Sequence, residues 1–199
     1  MEKLMKTSKT VDTILKVVYR ILQVAGVIIF VSIGICVAAE LLGQLPMAEI
    51  SGISISDVEF EFAEPMMVST TFLVVDMSTV MVMALIVIAT TCYLIKVLRN
   101  VLTPMIAGQP FGGTVSGNIK KLGIAIIVGG IILDVAQAVG SSVLLYRYNI
   151  PSLLSENISH INVNSEISLS NVLIGVLVIM LSYVFRYGEE LQKQADETL

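Results

Sequence analysis

A chain of 199 residues that is 55% hydrophobic and 14% charged, with a mean hydropathy of +0.88, carries far more apolar surface than a soluble domain of its size can bury. That excludes an ordinary water-soluble domain and makes a membrane protein the expectation. The formal net charge of −4 is a poor guide to either face of such a molecule, because the basic and acidic residues collect at different ends of its apolar stretches.

Four stretches are long enough, or nearly so, to cross a hydrocarbon core of about 30 Å at about 1.5 Å of helix rise per residue. They are residues 21–42, 77–95, 122–146 and 167–187. The last has an unbroken apolar core only over 172–185 and needs Ser168, Ser170 and Asn171 to reach span length. The expected fold is an all-α membrane protein, a bundle of four transmembrane helices in one membrane domain covering 1–199, with a small extracytoplasmic β element contributed by its two outer loops. Orientation follows from Lys and Arg, which stay cytoplasmic near span ends. Lys3, Lys6, Lys9, Lys16 and Arg20, then Lys96, Arg99, Lys120 and Lys121, then Arg186 and Lys193 fall on one side, and only Arg147 falls on the other. Both termini and the segment 96–121 are therefore expected in the cytoplasm.

In chain order, residues 1–20 form a basic cytoplasmic lead-in. Leu4, Val11, Ile14, Leu15 and Val18 recur at helical spacing, which predicts an interfacial helix merging with the first span. Val37, Ala38 and Ala39 resemble a signal-peptide cleavage site, but the apolar region is too long for one, and Ile35 before Cys36 spoils a lipoprotein box. The segment is expected to stay as an anchor. Cys36 and Cys92 fall at different membrane depths, beyond disulfide reach, and read as apolar packing residues.

The outer loop 43–76 alternates Val58, Phe60 and Phe62 with Asp57, Glu59 and Glu61, the period of a strand with one greasy and one acidic face. Pro65 is expected to end it, with 67–72 returning as its partner. The three carboxylates make a poor metal site, since residues two apart on a strand are about 6.6 Å apart while Ca²⁺ ligands lie about 2.4 Å from the ion. Asp76 is expected to cap the second span. That helix continues past the membrane through Lys96 and Arg99, with Leu98, Val101 and Leu102 on one face, to a new turn or kink at Thr103 and Pro104. Gly108, Gln109, Pro110, Phe111, Gly112 and Gly113 then give the sharpest turn signal in the chain, and the third helix is expected to start near Ser116 or Asn118. The glycines are not a phosphate loop, because no strand precedes them and no Gly-Lys-Ser/Thr follows.

The third span carries Asp134, some 20 Å of helix beyond Lys121, and Gln137 and Ser141 extend it into a polar stripe. Such a carboxyl needs hydroxyl or amide partners, or water reaching in from outside. Two roles stay open for it: a structural hydrogen bond, or handling a proton, ion or ligand. Glu40, near the outer end of the first span, is expected to pair with Arg147. Gly129, Gly130, Ala136 and Gly140 allow close helix approach, and a second copy of the chain is among the partners the sequence allows. In the outer loop 147–166 a strand-like run at 161–163 is expected to join the first loop's strands. His160, the only histidine, makes neither a metal site nor a triad, and Asn157, Ile158 and Ser159 spell a glycosylation sequon that matters only in a eukaryote.

The tail, 188–199, keeps helical spacing at Leu191, Ala195 and Leu199, continuing Val184 and Tyr187. Arg186 with Glu190 and Glu189 with Lys193 are expected i, i+4 pairs. Gly188 at the membrane boundary predicts close packing or a bend. Glu189, Glu190, Asp196 and Glu197 outweigh Lys193, so anionic lipid repels the tail and the basic segment 96–121 or the basic N-terminal helix attracts it. It either folds onto that segment, with Gln109, Phe111, Lys120, Lys121 and Arg186 in reach, or offers the same surface to a basic partner.

The stretch YVFRYGEELQKQADETL at 183–199 and the turn GQPF at 108–111, followed by Leu122 and Gly123, resemble the landmarks of a bacterial membrane family, domain of unknown function 2975. With four spans the resemblance covers essentially the whole chain. Gly112 and Gly113 depart from it, standing where relatives more often carry a polar helix-capping residue. The resemblance implies a multi-pass protein of the bacterial cytoplasmic membrane, of a family with no assigned enzymatic activity, and the chain is expected not to be an enzyme. It also implies a small helix-turn-helix regulator as partner at the cytoplasmic face, without direct contact with nucleic acid. The alternative is a small transporter or channel-like subunit using Asp134, Gln137 and Ser141. No HExxH, Ser/His pairing or cysteine-rich ligand set points to an enzyme, and no metal or cofactor is expected.

Overall fold

A computed structural model describes residues 2–43, 48–55, 58–68, 70–109, 111–147 and 168–197. Four long helices carry the chain: α1 (Glu2–Leu41), α2 (Thr70–Ile106), α3 (Val115–Arg147) and α4 (Leu169–Glu197). All four contain stretches long and apolar enough to cross a membrane, within Met5–Leu41, Met77–Ile106, Val115–Val143 and Leu169–Ala195. The chain is a multi-pass membrane protein. At 29 to 40 residues the helices are about 44 to 60 Å long, well beyond a hydrocarbon core of about 30 Å. Each therefore projects out of it. In α1 the part suited to hydrocarbon is the charge-free run 21–39, and the basic lead-in continues it as one helix, as its periodicity predicts. Phe30 is 70% exposed and Val184 66%, exposure that only an apolar solvent makes favourable.

Two strands, β1 (Ala48–Ile55) and β2 (Val58–Val68), pair antiparallel between α1 and α2. This corrects the expected pairing in three ways. Pro65 lies inside β2 rather than ending it, the partner strand is upstream at Ala48–Ile55, and the segment expected to return as a strand is helix from Thr70 onward. The ladder shows why the proline is tolerated. Ile50 pairs with Met66 and Gly52 with Glu61, so Ser51 alone faces Phe62, Ala63, Glu64 and Pro65 across a break in register. A residue without an N–H donor fits where no ladder bond is required. A β element built from both outer loops is not supported: both strands of the described sheet come from the first connection. The run at 161–163, His160 and the sequon lie outside the described residues.

Asp76 does not cap α2. The apolar residues before it extend the helix upstream to Thr70, leaving Asp76 in its interior, and its side chain lies outside the described residues.

Packing divides the chain into two compact units. The first comprises Met1–Ala25, Ile88–Leu133 and Ile167–Leu199. Its centre is a cluster of Val101, Val115 and Ile119, with Met105, Leu122, Val178 and Phe185 packed against it. Here α3 and α4 meet backbone to backbone. A Cβ placed on Gly123 would lie 2.6 Å from Ile179 Cγ1 and 2.7 Å from the Gly175 carbonyl oxygen, and one on Gly175 would collide with Ile127 and the Gly123 carbonyl. Gly130 faces Asn171 and Gly129 faces Thr90 in the same unit, the close approach that small residues permit. The second unit, Gly26–Val87 with Asp134–Glu166, holds the β hairpin and seats Gly140 against Met83.

Candidate docking site at the α2–α3 turn and the α4 tail

The site begins with the way α2 stops. Pro104 sits inside the helix without opening a new one, and α2 runs on to Ile106. Gly108 then takes the left-handed conformation, φ 80°. Its amide donates to the Met105 carbonyl at 3.2 Å and the Gln109 amide to the Pro104 carbonyl at 3.0 Å, the paired bonds of a Schellman cap. The Gly112 amide next donates to the Gln109 carbonyl at 3.1 Å, and the Thr114 carbonyl accepts the first helical bond of α3 from Asn118 at 3.1 Å. Thr114 is thus the N-cap and α3 starts at Val115, slightly earlier than expected.

An N-cap side chain ordinarily satisfies the free amides of the first turn. Here a carboxylate from another helix does so. The Ser116 amide donates to Glu189 Oε1 at 2.8 Å and the Ser116 hydroxyl to Oε2 at 2.7 Å. The negative charge lies at the positive end of the α3 dipole. One residue earlier, a Cβ on Gly188 would lie 2.9 Å from the Phe111 ring, and that ring packs on Phe185 with centroids 5.7 Å apart. Gly188 therefore marks close packing. A carboxylate cap and an aromatic contact fix the α2–α3 turn to α4.

These bonds reassign the tail's charges. Glu189 is engaged with Ser116, so Lys193 pairs instead with Glu197 at 3.8 Å, while Arg186 pairs with Glu190 at 3.5 Å as expected. Among the described residues neither Lys120 nor Lys121 makes an ion pair with the tail; both are exposed. The tail meets the turn as expected, but through a helix N-terminus and an aromatic ring rather than through lysines. The Asp196 side chain lies outside the described residues. An open recess of about 510 Å³ remains beside the cap, lined by Phe111, Gly112, Arg186, Glu190, Lys193 and Glu197 among others.

A second polar contact ties α1 to α2 in the same unit. Arg99 Nε donates to Asp12 Oδ1 at 2.8 Å, and Lys16 Nζ lies 2.7 Å from Oδ2. The Asp12 side chain is only 13% exposed, about 14 Å of helix ahead of the charge-free run of α1. The Arg99 guanidinium, and after it the Lys16 ammonium, hold its carboxyl below the usual carboxylate range. The basic pattern of the lead-in draws attention away from Asp12; the available signal is that it is the only acid between Glu2 and Glu40.

The intramembrane stripe is less uniform than its spacing implies. Asp134 and Ser141 are half-buried while Gln137 is exposed, and Asp134 is not without a partner. Glu40 Oε2, in contrast, is buried with no hydrogen-bond partner among the described residues; the side chain of Arg147, its expected partner, lies outside them. Cys36 and Cys92 are free thiols, and the described residues contain no group of three or more His, Cys, Asp and Glu able to hold a metal.

Comparison with known proteins gives no matching family model, no matching curated protein and no matching solved structure.

Proposed function

We propose that this is a non-catalytic membrane protein whose α2–α3 turn and α4 tail form a docking face for a soluble regulatory partner. The resemblance to domain of unknown function 2975 names the class of partner, a small helix-turn-helix regulator, and the bacterial cytoplasmic membrane as the setting. The distribution of Lys and Arg supports a cytoplasmic position for this face. The observation that carries the reading is the Glu189–Ser116 cap. It holds the tail as an ordered helix against the turn and leaves the ion pairs Glu190–Arg186 and Glu197–Lys193 exposed beside an open recess, on a segment, 189–199, where Glu189, Glu190, Asp196 and Glu197 outweigh Lys193. A basic DNA-binding domain complements that acidic edge.

The test is purification in mild detergent followed by mass spectrometry of co-purifying proteins, with the intact chain, a chain ending before Glu189, and Glu190→Gln/Glu197→Gln. A small basic DNA-binding protein should accompany the intact chain and be lost from both variants. Its absence from the intact chain rejects the reading.

A second reading, a small transporter or channel-like subunit, is favoured by two carboxyls of the second unit, Asp134 and Glu40, whose Oε2 is buried without a hydrogen-bond partner among the described residues. Asp134→Asn separates the two: under the transport reading proton or solute flux in vesicles falls, whereas under the docking reading partner binding survives.

A further inference from the structure

Within the first unit a recess of about 340 Å³ runs between the second half of α2 and the first half of α3. On α2 its walls are Tyr93, Lys96 and Asn100; on α3 they include Lys121, Ile124 and Val128. Three or four residues separate neighbours on each wall, so each set lines one helix face.

The recess changes character along its length. Toward the turn it is polar, and Asn118 Nδ2 closes that end by donating to the Asn100 carbonyl at 3.0 Å. Toward the apolar stretches it is greasy: Tyr93 is 59%, Ile124 46% and Val128 49% exposed. Lys96 and Lys121 stand at the change. Lys96 ends the charge-free run 77–95, and Lys121 precedes the charge-free run 122–133, so both mark the level where hydrocarbon gives way to water. Neither forms an ion pair among the described residues, and the tail carboxylates whose side chains are described, Glu189, Glu190 and Glu197, are engaged with Ser116, Arg186 and Lys193.

We propose that this groove binds one anionic phospholipid, its headgroup phosphate between Lys96 and Lys121 and its upper acyl carbons along Tyr93, Ile124 and Val128. Two cations at a membrane boundary between helices suit a phosphodiester headgroup, and an exposed Tyr suits the interfacial layer. A free phosphate satisfies only the lysines and leaves the apolar half open, so the lipid is the occupant that matches the whole groove. The proposal rests on the chain spanning a membrane and is independent of any soluble partner.

The experiment is native mass spectrometry of the full chain in detergent, titrated with phosphatidylglycerol, phosphatidylcholine, deacylated glycerophosphoglycerol and inorganic phosphate. Phosphatidylglycerol should bind at one per chain and be retained in preference to phosphatidylcholine. Lys96→Gln/Lys121→Gln should weaken it about tenfold or more, whereas Lys120→Gln, outside the groove, should not. Lys96→Arg/Lys121→Arg should restore binding, which separates lost charge from a misfolded variant. Ile124→Ser should weaken phosphatidylglycerol while leaving the deacylated headgroup unchanged. Unaltered phosphatidylglycerol binding in the double Gln variant, or inorganic phosphate displacing the lipid at equal concentration, overturns the proposal.

Discussion

Both carboxylate oxygens of Glu189 are taken by one residue, Ser116, through its amide at 2.8 Å and its hydroxyl at 2.7 Å. The two residues are 73 positions apart, so the start of α3 is completed by the end of α4. Losing a helix cap typically costs about 0.5–2 kcal/mol. Glu189→Gln keeps an acceptor but loses the charge facing the helix dipole, and should lower detergent stability less than Glu189→Ala. Glu189→Lys should be the worst of the three, placing a cation at a positive helix end. Thermal unfolding should give that order, with hydrogen exchange showing the loss concentrated in the first turn of α3.

Gly188 offers a sign test. In an open helix Gly→Ala gains about 1 kcal/mol, but a Cβ here meets the Phe111 ring at 2.9 Å. Gly188→Ala should therefore destabilise the wild-type protein and stabilise it in a Phe111→Ala background. Additive effects in that double-mutant cycle would show that the two side chains do not share this space.

Gly123→Ala and Gly175→Ala should be costlier. The obstacle at Gly123 includes a backbone carbonyl oxygen at 2.7 Å, which has no rotamer with which to yield. Overpacking of this kind costs about 1–3 kcal/mol. Both variants should unfold earlier than Gly113→Ala, whose Cβ meets nothing within 4 Å.

The contact of Asp12 with Arg99 and Lys16 should be acid-labile. Its folded-state pKa is depressed, so its contribution is present above the usual carboxylate range of about 4 and is lost as pH falls through the lower folded value. Hydrogen exchange over residues 5–20, corrected for the intrinsic rate, should show protection at neutral pH that declines below about pH 4. In Asp12→Asn that protection should be weaker at neutral pH and lack the acid step.

What could be read from residues alone follows the range of the forces involved. Hydropathy and helical spacing are local, and they disclosed the four spans, the continuous α1 and the turn at Gly108. Gly188 was legible as a tight spot, yet nothing local says that Phe111 is what fills it. Glu189 has Lys193 at an ideal i, i+4 distance, and a tertiary bond to a helix N-terminus outcompetes that exposed pair. The α3–α4 approach at Gly175 is not legible locally, because a lone glycine in an apolar run has no signature without its counterpart at Gly123. Strand alternation at Val58, Phe60 and Phe62 was informative, but period two does not specify a partner, and the break opposite Ser51 that accommodates Pro65 is a property of the pair.

The cap has a further consequence for anything that approaches the tail. Glu189 is not a free charge: a ligand that draws it away uncaps α3, and the lost cap is subtracted from the ligand's own affinity. Uptake of Glu189 and fraying of the first turn of α3 are therefore one equilibrium, read from either end. A binder that contacts only Glu190 and Glu197 leaves that equilibrium untouched; one that captures Glu189 changes the top of a helix that continues through the hydrophobic part of the molecule.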